Sequence, residues 1–140
     1  MDINECLERG YLVKEKIDKN LIEKELSESK YDYEKAEKAF KEKDYKWTII
    51  KSYYSMFHSG KAICFKFGYR EKRHVAVLVV LEEINKRGKL EIKFVNDFKA
   101  AISARESADY RYNYTKERAL QILEICKEFN ERLIKLIRKA

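Results

Sequence analysis

Proline is absent from this 140-residue chain, and glycine occurs only at Gly10, Gly60, Gly68 and Gly88. An all-β fold draws on both residues for its many tight turns, so their scarcity argues against one and leaves helix as the default. Cysteine is also scarce. Cys6, Cys64 and Cys126 are odd in number, far apart and free of CxxC spacing, which speaks against a disulfide framework and against a zinc knuckle. A reducing cytosol suits such a chain. No stretch approaches the roughly 20 apolar residues of a membrane span, and Asp2, Glu5 and Glu8 stand where a signal peptide needs an apolar run. The expectation is a cytoplasmic protein without a membrane contact. The patterns GxxxxGK[ST], HExxH, GxSxG and paired metal-binding histidines are missing too, so NTPase, zinc-hydrolase and serine-hydrolase chemistry have no support and no cofactor is expected.

What is present is enough to fold. Hydrophobic residues make up 45% of the chain and aromatic residues 13%, alongside 39% charged residues, a balance that separates it from disordered segments. The length fits one domain spanning residues 1–140. A net charge of +7 permits an anionic partner such as RNA, although the cations are interspersed with acids in the manner of solvated helix faces.

Helical spacing runs through most of the sequence. From Lys19 to about Glu42, apolar or small residues recur at Ile22, Leu26, Ser29, Tyr33, Ala36 and Phe40, the signature of a long amphipathic helix. Before it, Ile3 to Val13 can form a short extra helix interrupted at Gly10. Asp44 is a natural N-cap for the next helix, which reaches Gly68 as its C′ residue. Its apolar residues cover more than one face, which places it in the middle of a bundle, with Gly60 and Ala62 permitting close approach by a neighbour. Val75 to Leu81 is rich in β-branched residues, but no second strand is evident, so His74 to Lys86 reads as a helix ended by Gly88. Another helix is expected from about Glu91 to Ser103. Arg105 to Tyr114 loses helical spacing and reads as an ordered, partly extended connection, and a last long helix begins at Thr115. The fold class is therefore all-α: an antiparallel bundle of four to five helices.

Several residues are candidates for chemistry. Lys51, Tyr54 and His58 share one stripe of the central helix and can line a cleft, or His58 can be a hydrogen-bonded core histidine. His74 begins a helix beside Arg70, Lys72 and Arg73, where helix amides and basic side chains can hold a phosphate, or the segment is a solvated loop. Arg105, Asp109 and Tyr110 can bind a nucleotide, while the i,i+4 spacing of Arg105 and Asp109 also suits a structural ion pair. The alternating Tyr110, Tyr112 and Tyr114, with Arg111, Lys116 and Arg118 nearby, can stack single-stranded bases or pack a turn or dimer interface.

The stretch Ile50-Lys-Ser-Tyr-Tyr-Ser-Met-Phe-His-Ser-Gly-Lys-Ala62, then Gly-Tyr-Arg-Glu-Lys-Arg-His74, then Arg105-Glu-Ser-Ala-Asp-Tyr110 resembles the HEPN superfamily, in particular its small branch with YYxxFH and RExADY motifs. The resemblance covers about Glu34 to Leu133. It implies an antiparallel helical bundle, often homodimeric, and a nucleotide- or RNA-binding role, with single-stranded RNA as one ligand and a small nucleotidyltransferase as partner in a toxin–antitoxin-like system. Some members resemble metal-independent ribonucleases that carry Arg, four to six residues, then His. There the histidine moves protons while the arginine stabilises phosphoryl charge. Here Arg70 and His74 are separated by three residues, and Lys51 and His58 by six with lysine in place of arginine. Catalysis is therefore not assumed. The leading reading is nucleotide or RNA binding around His58 and the Arg70–His74 loop. The alternatives are a metal-independent endoribonuclease, using His58 or His74 with Arg70 or Arg105, and a non-catalytic dimeric adaptor.

Overall fold

The structure, a computed structural model, describes residues 1–139. A short helix α1 (Ile3–Glu8) and strand β1 (Leu12–Lys14) precede two long helices, α2 (Lys19–Lys41) and α3 (Tyr45–Lys66). Strand β2 (Tyr69–Glu71), α4 (His74–Lys86), α5 (Ile92–Tyr110) and α6 (Lys116–Arg138) follow. The all-α reading holds, with five long helices and one short one among the described residues.

Helix α3 is the centre of the bundle. The Asp44 carboxylate accepts from the Trp47 amide at its start, and Gly68, at φ +84°, turns the chain just past its end. Its apolar residues run nearly all round, and α2, α4, α5 and α6 all pack on it. Gly60 marks the tightest approach. A Cβ built there would meet Val77 Cγ1 of α4 at 2.5 Å, so only glycine lets the two helices come this close. The β-branched run Val75–Leu81 is helical as expected. Ala76, Val77, Val80, Leu81 and Ile84 pack into the core, and tertiary burial outweighs the weak helix propensity of valine.

Two expectations need correction. The chain does contain strands: Leu12, Val13 and Lys14 pair antiparallel with Glu71, Arg70 and Tyr69, clipping the N-terminal segment onto the loop before α4. Three-residue strands with 54 residues between them leave no periodic trace in sequence. Second, the segment Arg105–Tyr110 is helical and belongs to α5. Ala101, Ala104 and Ala108 form a buried small-residue face that continues the helix, and the alternating tyrosines disguised it. The connection is only Arg111–Thr115, with Tyr112 in the left-handed region at φ +51°.

Candidate functional site

One stripe of α3 escapes complete burial. Lys51, Tyr54, His58 and Lys61 recur at three- and four-residue spacing, and each keeps part of its surface in solvent while most of the residues between them are buried. Helix α2 faces this stripe with two acids that sequence reasoning missed, Glu25 and Asp32, both almost buried. His58 Nδ1 lies 2.8 Å from Glu25 Oε1, and Nε2 lies 3.6 Å from Asp32 Oδ2. Lys51 Nζ is 3.8 Å from Asp32, while Lys61 Nζ is 3.5 Å from Glu25 and 3.6 Å from Glu71. A signal for these partners did exist. Glu25 and Asp32 are seven residues apart, as are Lys51 and His58, and antiparallel helices with matched spacing bring the pairs face to face.

The two acids are tuned in opposite directions. Burial by itself raises the Glu25 carboxyl, but the hydrogen bond from His58 and the charge of Lys61 outweigh it and hold the group below its ordinary value. For Asp32 burial dominates over Lys51 and His58, and its carboxyl is raised. An ionised Glu25 can only accept, so the imidazole proton sits on Nδ1, and Nε2 makes no hydrogen bond among the described residues. This carboxylate–imidazole pair can orient a proton-transfer group. The neighbouring cations already face carboxylates, so an incoming phosphate must displace those contacts.

Across the stripe, α5 contributes Arg105. Its guanidinium lies against the Tyr53 and Tyr54 rings, at 5.3 and 5.5 Å, and its Nη2 donates to the Tyr54 hydroxyl at 3.2 Å. Nε is 3.2 Å from Asp109 Oδ2, close enough for an ion pair but poorly aligned to donate a hydrogen bond. The RExADY segment thus docks α5 on the YY pair of α3, with Tyr53 as buried packing and Tyr54 as half-buried link. Tyr110 is 75% exposed at the end of α5.

The loop before α4 is drawn partly towards this site and partly away from it. His58 and His74 both sit against Phe57, with ring centroids 6.2 and 4.3 Å from it. Arg70 instead pairs with Glu15 at 2.9 Å, and Arg73 lies over the Tyr11 ring at 5.3 Å. The backbone amides of Lys72 and Arg73 both donate to Tyr11 O. Among the described residues, no group of three or more His, Cys, Asp or Glu side chains is arranged to hold a metal, and no helix is long and apolar enough to cross a membrane.

Fold and site define an antiparallel helical bundle whose buried central helix offers one polar stripe bearing a carboxylate-oriented histidine. The HEPN domain profile matches residues 22–137, and the chain belongs to the HEPN family. That membership is consistent with a nucleotide- or RNA-related function. No curated protein is significantly similar to the chain. The matched region begins after α1 and β1, so the N-terminal half of the clip lies outside it and β2 inside.

Proposed function

We propose that this protein binds nucleotides or RNA along the exposed stripe of α3. The observation that carries the reading is convergence: Lys51, Tyr54 and His58 share the stripe, and Arg105, paired with Asp109, borders it through its hydrogen bond to Tyr54. A second copy of the chain and a small nucleotidyltransferase, in a toxin–antitoxin-like pairing, are the partners this reading carries, and their support is family membership alone.

The Glu25–His58 hydrogen bond favours a second reading, a metal-independent endoribonuclease. In that reaction His58 Nε2 takes the proton from a ribose 2′-hydroxyl as its oxygen attacks phosphorus. The 5′-oxygen leaves with a proton drawn from solvent, and a cyclic phosphate remains. His74, whose ring lies against Phe57, is the other histidine of the chain. One experiment addresses both readings: binding of ATP and single-stranded RNA to the wild type and to a His58→Ala/His74→Ala variant, without divalent metal, across a salt series. Binding lost in a folded variant supports the site, and RNA cleavage lost in it promotes the nuclease. Absence of binding by the wild type removes both readings and leaves the adaptor.

A further inference from the structure

The end of the molecule that carries the α5–α6 connection is rich in exposed aromatic rings and in exposed cations. Trp47, in the first turn of α3, is 47% exposed, Tyr110 and Tyr112 are each 75% exposed, and Tyr114 is 39% exposed. Two of these rings carry a lysine. Lys51 Nζ lies 5.9 Å from the Trp47 ring centre, and Lys46 Nζ lies 5.9 Å from that of Tyr112. The Lys46 contact brings the connection beside the start of α3, so Trp47 and Tyr112 occupy the same end of the bundle. The connection is also fixed in place, because the amides of Arg111 and Asn113 both donate to Ser107 O. Among the described residues, Lys46, Arg111 and Lys116 form no ion pair.

We infer that Trp47 and Tyr112 form a stacking platform for the bases of a single-stranded nucleic acid that continues from the α3 stripe, with Lys46 and Arg111 contacting its phosphates. This inference rests on the proposed nucleotide- or RNA-binding role and names its ligand as an oligonucleotide strand rather than a mononucleotide. Exposed rings beside unpaired cations suit a chain of alternating bases and phosphates, because every base has a π-face and every linkage an anion. A protein partner would instead call for an apolar centre, and these rings stand among lysines, arginines and polar residues. The path is continuous with the site. Trp47, Lys51, Tyr54 and His58 follow one another at four-, three- and four-residue steps, a rise of roughly 16 Å along the helix.

Trp47 is the only tryptophan, so its fluorescence reports stacking directly. The full chain would be titrated with a uridine dodecamer, a uridine trinucleotide and UMP in chelator, following both tryptophan emission and the anisotropy of end-labelled oligonucleotide. The expected result is quenching of Trp47 by the dodecamer, tighter binding of the dodecamer than of UMP, and a loss of about tenfold in dodecamer affinity in Trp47→Ala and in Tyr112→Ala. Trp47→Phe should keep most of the affinity. Each ring is exposed, and unchanged circular dichroism would show that the variants fold. If UMP binds but the dodecamer binds no tighter and leaves tryptophan emission unchanged, the platform is overturned while the nucleotide-binding role survives. If neither ligand binds, both fall. Self-association that disappears in Trp47→Ala, together with undiminished dodecamer affinity, would overturn the platform in favour of a protein-contact surface.

Discussion

Two polar clusters lie between α2 and α3, and they differ in almost every respect that matters for function. The inner one is neutral. Ser29 Oγ donates to Ser55 O and Ser55 Oγ donates back to Ser29 O, at 2.8 and 2.7 Å, and α6 adds Asn130, which accepts from Ser59 Oγ and donates to Ser55 Oγ. All four residues are buried. The outer cluster, around His58, is ionic and reaches solvent, and its histidine keeps one nitrogen without a hydrogen bond. Both sets of residues alternate along the same two helices, so sequence spacing alone cannot rank them. What separates them is satisfaction: a buried group with every hydrogen bond made serves to fix helix register, whereas a titratable group with capacity to spare can serve a ligand.

Breaking the inner cluster should cost the most. Asn130→Ala would leave Ser59 without its acceptor and Ser55 without its donor, both of them fully buried hydroxyls, so a loss of about 2–3 kcal/mol is expected in urea unfolding. His58→Ala in the outer cluster should cost less, about 1–2 kcal/mol, because solvent and the two lysines still serve Glu25 and Asp32. The comparison reverses for ligand binding. A folded Asn130 variant should bind RNA like the wild type, and the His58 variant should not. If Asn130→Ala were the milder change in unfolding, the assignment of the inner cluster to stability would fail.

Much of this architecture is legible in the sequence. The three-four spacing gives α2, α3 and α6, Gly68 and Gly88 mark the helix ends, and the all-round hydrophobicity of α3 identifies the central helix. The site is directly legible only on the side that α3 contributes, because the seven-residue match of Glu25 and Asp32 to Lys51 and His58 becomes a signal only once α2 and α3 are known to pair. Glu25 and Asp32 sit in a lysine- and glutamate-rich helix where an acid is by default a surface residue, and their burial follows only from the pairing of that helix with α3. The capture of Arg70 by Glu15 depends on the β1–β2 clip, which local propensity does not encode. Tertiary pairing decides these cases, and sequence periodicity reports only what each helix does alone.

The smallest effect concerns the two acids themselves, which should respond oppositely to pH. The Glu25 carboxyl is lowered from 4.5, so its contribution to stability is present above that value and fades as pH falls through the lower folded value. The Asp32 carboxyl is raised from 3.8, so its contribution is present below that value and is lost as pH rises through the higher folded value. In the wild type the two partly cancel in mildly acidic solution. Glu25→Gln should therefore flatten the loss of stability on acidification, and Asp32→Asn should steepen it relative to the wild type while relieving its cost at neutral pH. Denaturant midpoints measured between roughly pH 3 and pH 7 check both slopes. If the two variants shift the profile in the same direction, the acids do not have separate environments, and the picture of His58 held by one ionised carboxylate beside a second, reluctant one is wrong.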